Sequence, residues 1–278
     1  MLIDRHPKSE LLRKYILGFN MFEKKEGFNL HFFAFPQPGS TIELFKNTKI
    51  KRAVSGITIS PINNFENGKD TYSIEILGKY SEPIFYSFEG FVEGFAINFN
   101  PVGINYFFEK PYNALAPENF QELRDVKWQK FSEELFNLET FDERVEFAES
   151  FFLNIYKKVD IDDVEKAVEA ILKDDTVLID ELANLCCTST RSLLRKFNTY
   201  VGCSPTLYKR IIRFRKSIDF NIWKEQNLKC IDICYKNNFY DVAHFRKEFL
   251  KLTHQNPIDF FKTISASGQN YKFPFRIV

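Results

Sequence analysis

Apolar residues come in short runs through the first 115 positions and then switch to a helical period. The runs FNLHFFAF, STIELF, RAVSGITIS, TYSIEIL and EPIFYSF are rich in β-branched and aromatic residues and separated by Gly, Pro or Asn. They predict strands. FVEGFAINF and the segment after Pro101 continue the series. Gly90, Gly94 and Gly103 fall within or between these runs, at places where glycine marks bulges or barrel corners. Several short strands with no helix between them predict an antiparallel barrel or sandwich.

The texture changes near Glu118. Phe141, Val145, Ala148, Phe152 and Ile155 recur at helical spacing and form one apolar stripe. Such a stripe is expected to pack on the β-unit, with a dimer seam as the alternative. The polar run KKVDIDD places a boundary near 157–163, and short helices follow to about Lys262. The expected fold is therefore α+β in two domains: 1–160, β-rich with terminal helices, and 161–265, all-α. A tail, 266–278, follows.

Within the helical part the chain resembles itself at an offset of 52 residues. Ile179-Asp180 matches Ile231-Asp232, Leu193 matches Phe245, and Phe197 matches Phe249. Arg195 matches Lys247, Pro205 matches Pro257, and Tyr208 matches Phe260. Ser204 and Asn256, both good N-caps, precede the two prolines, which suit the first helical position. Each copy reads as a helix, a tight turn, a second helix and a capped third. In the first copy Val177, Ile179, Leu182, Ala183 and Leu185 supply the first helix's buried face or its edges. Cys186–Thr188 make the turn, and Ser189 caps the next helix. In the second, Ile231, Ile233 and Cys234 lie on the first helix, Asn237-Asn238 turn, and Asp241 caps.

Two helices joined by so short a turn can present the second to a DNA major groove, about 12 Å wide. Leu193 and Phe197 would bury one face of the first reading helix. Phe245, Phe249 and Leu252 would do the same for the second. The opposite faces carry Arg191, Leu194 and Arg195, then Ala243, Arg246 and Lys247. Arg191, Arg195 and Arg246 are candidates for bidentate pairing with guanine, and Lys247 for a phosphate. His244 lies on the second reading helix as a packing or phosphate contact. Between the copies, Leu207, Ile211, Phe214, Ile218 and Ile222 predict one helix of about 20 residues, roughly 30 Å long. It would hold the reading helices about one duplex turn apart, roughly 34 Å. Lys209, Arg210, Arg213 and Lys216 occupy its polar side, where phosphates would be in reach.

Charge supports a polyanionic partner for this part. Residues 176–262 hold 15 Lys and Arg against 8 Asp and Glu, whereas the remainder holds 23 against 29. The net charge of +1 thus conceals a basic unit joined to an acidic one. Phe is abundant, at 32 residues, and its rings are expected mainly in cores, an aromatic-lined pocket being secondary. The five cysteines, Cys186, Cys187, Cys203, Cys230 and Cys234, form no CxxC pair. They read as small thiols in helices rather than a metal site, although Cys230 and Cys234 stand one turn apart. The N-terminal stretch MLIDRHPKSELLRKY has no uninterrupted apolar core, and no apolar run approaches the ~20 residues of a membrane span. A soluble, cytoplasmic protein is expected.

The stretch LIDELANLCCTSTRSLLRKFNTYVGCSPTLYKRIIRFRKS resembles the first helix-turn-helix and linker helix of the AraC/XylS family of bacterial transcription regulators. CIDICYKNNFYDVAHFRKEFLKLTHQNPIDFFK resembles the second. The resemblance covers roughly 175–263 and implies a sequence-specific regulator bound to promoter DNA, with RNA polymerase as a further partner. Asn238 and His254 stand where the family commonly has Gly, and His254 would be strained at positive φ. Leu194 and Ala243 replace residues that are often polar. More weakly, FAINFNPVGINYFFEKPYNALAP is similar to the cupin-like β-domains that precede this module in many members. Those domains bind a small-molecule effector, form a homodimer, or both; the resemblance does not choose among these and a monomer.

Two other classes compete. A metal-dependent cupin enzyme needs clustered His with a carboxylate, and the N-terminal part has only His6 and His31. A methyl-accepting repair domain would need zinc-bound cysteines there, and no GxGxxG, GxxxxGK[ST] or GxSxG is present. No enzyme, metal or cofactor is expected. The second competitor is an adaptor, binding DNA or protein, whose β-domain binds a partner protein and no ligand. Tandem helical repeats can also build protein-binding solenoids.

Overall fold

The computed structural model describes residues 2–24, 29–53, 56–62, 69–118, 120–219 and 230–266. Short strand β1 (Leu2–Arg5) and helical turn α1 (Glu10–Arg13) lead into β2 (Ile16–Lys24), β3 (Leu30–Ala34), β4 (Ser40–Lys46) and β5 (Thr48–Ala53). β6 (Gly56–Pro61), β7 (Tyr72–Leu77), β8 (Ile84–Phe88) and β9 (Val92–Phe99) follow. After a 3₁₀ turn at Gly103–Tyr106 come α2 (Tyr112–Leu115), β10 (Phe120–Glu122), α3 (Val126–Phe136) and α4 (Phe141–Ile155). The remainder is helical: α5 (Asp162–Lys173), α6 (Ile179–Leu185), α7 (Thr190–Val201), α8 (Pro205–Asp219), α9 (Cys230–Lys236), α10 (Val242–Thr253) and α11 (Pro257–Ala266).

The strands form a six-stranded sheet, ordered β1-β2-β9-β4-β7-β10, and a four-stranded sheet, ordered β3-β8-β6-β5. In the larger sheet Ile42 pairs with Ile97 on one side and Ile76 on the other. Side-chain alternation sends Ile42, Leu44, Ile74, Ile76, Phe95, Ile97 and Phe99 to one face, and Phe45, Leu77 and Val92 to the other. The first face is covered by helices. Phe141 of α4 meets Phe95 at 6.1 Å between ring centroids, and Phe152 meets Phe99 at 5.7 Å. The second face packs on Ile57, Ile59, Tyr86 and Phe88 of the smaller sheet. Each fully buried ring of this kind contributes about 1.5–3 kcal/mol by leaving water.

The stripe on α4 thus packs on the β-unit, the first of its two expected roles. Its start is set by Thr140, whose Oγ1 accepts from the Glu143 amide at 3.2 Å while the Glu143 carboxylate accepts from the Thr140 amide at 2.9 Å.

Four expectations about the β-unit are corrected. Among the described residues the sheets stay open, so of the two expected forms it is the sandwich, but β6 pairs with β8 in parallel where antiparallel pairing was expected. RAVSGITIS is two antiparallel strands, β5 and β6; Gly56 takes φ +144° where a Cβ would lie 2.4 Å from the Phe85 carbonyl oxygen. The segment after Pro101 is the 3₁₀ turn, so it extends no sheet. Gly94 makes no bulge but continues the pairing of β9 with β2 and β4. Among the described residues, no helix is long and apolar enough to cross a membrane.

The core does not divide at 160/161. Phe19, Phe95, Phe99 and Phe152 belong to one continuous apolar cluster that also takes in Val164, Ile171, Leu182, Leu193, Phe197 and Tyr208. Phe214, Ile218, Ile233, Phe245, Phe249, Leu252 and Phe260 form a separate cluster, joined by Phe35 from just beyond β3.

Candidate nucleic-acid interface

The first helix-turn-helix unit is α6 and α7. Leu182 and Ala183 on α6 and Leu193, Phe197 and Val201 on α7 are buried together with Val164, Ala167, Val168 and Ile171 of α5. Cys187, at φ 50°, turns the chain between them. Ser189 caps α7, its hydroxyl accepting from the Ser192 amide at 3.2 Å. Thr190 donates to Asp180 at 2.8 Å and ties the start of α7 to α6. Gly202 ends α7 at φ 81°, with its amide on the Asn198 carbonyl at 3.1 Å.

The second unit repeats this with different residues. Ile233 and Cys234 on α9 face Phe245, Phe249 and Leu252 on α10. Asn238 turns at φ 57°, and Asp241 caps α10, accepting from the His244 amide at 2.6 Å. His254 ends α10 at φ 57° with its amide on Leu250 at 2.8 Å, the same device as Gly202. The helix end is therefore kept despite the side chain. The third helices dock alike: Phe197 meets Tyr208 edge-on at 5.5 Å, and Phe249 meets Phe260 at 4.9 Å.

The ungapped offset of 52 is corrected in one place. The turn bond from the Thr188 amide to Ala183 corresponds to that from Phe239 to Cys234, and the left-handed residues are Cys187 and Asn238, so the first helices and turns align at 51. From the caps Ser189 and Asp241 onward the offset is 52. The second copy has one residue more between turn and cap. The extra length falls at Phe239-Tyr240, and Tyr240 is 89% exposed beside the start of the reading helix. Sequence reasoning missed Tyr240, because only the backbone shows which residue turns.

The exposed faces come out as expected. Arg191, Leu194 and Arg195 are exposed on α7, and Ala243, Arg246 and Lys247 on α10. Among the described residues, Arg191, Arg195, Arg246 and Lys247 make no ion pair within the chain. His244 differs. It is half-buried, its ring lies 5.9 Å from that of Phe239, and its Nδ1 is turned inward. It packs the turn and is not presented with the others.

The cations of α8 are also placed differently from expectation. Lys209 donates to the Val177 carbonyl at 2.5 Å, and burial together with nearby Arg213 lowers its pKa. Arg213 and Lys216 both hold buried Asp175, at 3.0 and 3.2 Å. Arg210 holds Glu248 of α10. All four charges are engaged inside the protein, so Lys209 and Arg213 are not free for phosphates as expected. α8 itself spans about 22 Å over Pro205–Asp219; Ile222 and the rest of the expected spacer lie outside the described residues.

Cys186, Cys203 and Cys234 are buried free thiols, and Cys187 is exposed. Among the described residues no cluster of His, Cys, Asp and Glu could hold a metal ion.

No family model matches the chain, and no curated protein matches it. Among solved structures it is similar to ToxT from Vibrio cholerae, at 14% identity and a TM-score of 0.47, over 88% of this chain and 97% of that one. It is similar also to the C-terminal domain of AraT, a response regulator from Geobacillus stearothermophilus, at 20% identity and 0.34 over 36% and 84%. The DNA-binding domain of AdpA, in complex with a target DNA, matches at 14% and 0.36 over 39% and 97%. The functional reading accordingly rests on this chain's own residues.

Proposed function

We propose that the protein is a DNA-binding transcription regulator that places α7 and α10 in the major groove of one duplex. One observation carries this reading. The cations of the spacer helix are consumed by internal partners, while Arg191 and Arg195 on α7 and Arg246 and Lys247 on α10 face outward, Arg195 and Lys247 at repeat-equivalent positions. Unpaired arginines on a helix held rigidly by a cap and a buried face are suited to guanine edges. Arg191, Arg195 and Arg246 fill that role, Lys247 takes a phosphate, and Leu194 and Ala243 offer apolar contact to a thymine methyl.

In this reading 161–265 binds promoter DNA, and 1–160 governs how the units are presented, through a small effector or through dimerisation. The support is architectural: the β-sandwich packs directly against the reading units and is not merely tethered to them. The test is selection from a random duplex library by the full-length chain at low salt. Enrichment of a two-part motif whose affinity falls steeply with salt is expected. Enrichment of no sequence overturns the reading.

A further inference from the structure

The two reading helices end against the same part of the β-unit. Gly202, which closes α7, lies so near Lys79 and the Tyr112 ring that a Cβ would stand 3.1 Å from the Lys79 Cγ and 2.9 Å from the ring. Asn105 fixes this end by donating to the Tyr200 carbonyl at 2.9 Å. His254, its counterpart on α10, stands 3.8 Å from Glu82.

The stretch 35–39, between β3 and β4, connects the two. Phe35 leaves the sandwich and is 8% exposed. Its ring sits 6.4 Å from Phe214 of α8 and 5.1 Å from Phe260 of α11, edge-on to both. It is a wedge between the spacer helix and the third helix of the second unit. Its backbone is gripped from both sides. Arg215, 2% exposed, donates to the Pro36 carbonyl at 2.7 Å and the Phe35 carbonyl at 2.5 Å. Tyr80 adds a bond to the Phe35 carbonyl at 2.9 Å. Lys79 donates to the carbonyls of Gln37, Pro38 and Gly39 while its stem touches the end of α7. Burial pushes the Lys79 amine down to about 8.

We infer that this stretch sets the angle between the two reading helices, with Phe35, Lys79 and Arg215 as positioning residues that fix the spacing between the two halves of the DNA site. The inference rests on the DNA-binding reading. In this inference α8 relates the units along its axis, joined to the second unit by Phe214 on Phe249 at 5.3 Å and by Arg210 on Glu248, and rotation about that axis is the freedom left for the wedge to fix. A wedge anchored to the β-unit, which also holds the end of α7, removes that freedom.

The test uses the full chain and a duplex selected by it. Affinity is measured for the parent duplex and for versions with one or two base pairs inserted between its halves. The wild-type chain is expected to lose about tenfold or more per inserted pair, as a misplaced contact set does. Phe35→Ala is expected to flatten this profile to within about threefold while keeping its affinity for a single half. Arg215→Lys retains the charge but cannot fork onto two carbonyls, and it should flatten the profile even if Phe35→Ala proves too unstable to assay. Phe91→Ala, which removes an exposed ring elsewhere on the β-unit, should keep the wild-type profile. Spacing profiles in both positioning variants that match wild type overturn the inference, as does a wild-type chain indifferent to spacing. A chain that selects no duplex overturns the DNA reading itself, and the inference with it.

Discussion

The two helix-turn-helix units share a plan but not a means of support. The first is built into the main core: Leu193 and Phe197 belong to the same cluster as Phe95, Phe99 and Phe152 of the β-unit, with α5 packed against them. The second has a small core of its own, dominated by the rings of Phe214, Phe239, Phe245, Phe249, Phe260 and Phe261. The first ends in glycine at positive φ and the second in histidine at almost the same backbone angle. Repeating a local pattern in sequence therefore repeats caps, turns and reading faces, which depend on near neighbours. It does not repeat the packing, which depends on what lies far along the chain.

The sharpest way to break this comparison is to remove a ring from each core. Phe249→Ala is expected to cost about 3–5 kcal/mol and to melt the second unit in a separate, earlier transition. Phe197→Ala should lower the main transition. Chemical denaturation followed by amide exchange distinguishes them, and coincident loss of both units in either variant would show a single shared core.

Next in size come the outward cations. Arg195→Ala and Arg246→Ala are each expected to weaken binding to a selected duplex by about 1–3 kcal/mol and to relax preference at one base pair. Arg213→Ala, which removes a partner of Asp175, should lower the melting temperature while leaving base preference intact. Equal weakening on all sequences would reassign Arg195 and Arg246 to phosphates.

A smaller effect concerns pH. Glu43 is half-buried between the sheets beside Glu75, and loss of solvation, then repulsion from Glu75, pushes its carboxyl from 4.5 up to about 8. Burial likewise raises Glu75 to about 7, against the opposing pull of Arg52 at 2.5 Å. The folded chain then holds protons that the unfolded chain releases. Stability falls as pH rises from about 4.5 through about 8 and levels off above. Glu43→Gln is expected to reduce that fall in melts between about pH 5 and about pH 8.5. Because α7 packs in the cluster on the opposite face of the sheet that carries Glu43, while α10 lies in a separate cluster, α7 should gain more protection than α10.

The smallest effect sharpens the contrast of helix ends. His254→Gly is expected to stabilise the second unit by about 1 kcal/mol, since glycine adopts the left-handed conformation freely. Gly202→Ala should destabilise the first, where a Cβ also meets the Tyr112 ring. Thermal melts of both variants measure the difference.

Much of this was legible in the sequence because it was local. The α4 stripe, the buried faces of α7 and α10, and the caps at Ser189 and Asp241 all follow from spacing and residue type. β2 was missed because it is covered on both sides, with Phe19 in the helix-covered core and Phe22 packed on Phe45 and Phe88, so no simple alternation marks it. The inward turn of Arg213 could not be read from α8, since Asp175 lies 38 residues away. The one-residue slip in the repeat was hidden by the coincidence of Ile179-Asp180 with Ile231-Asp232. Their burial decides the matter: Leu182 and Ala183 share the places of Ile233 and Cys234.

The Phe35 wedge bears on how the molecule can be dissected. Severing the chain at 160/161 would withdraw that ring from its notch and leave the facing edges of Phe214 and Phe260 uncovered. It would also strand the Arg215 guanidinium, stripped of its two carbonyl acceptors, in an apolar recess. A helical fragment made this way would be sticky as well as incomplete, and supplying the β-half in trans would be the natural remedy for its insolubility.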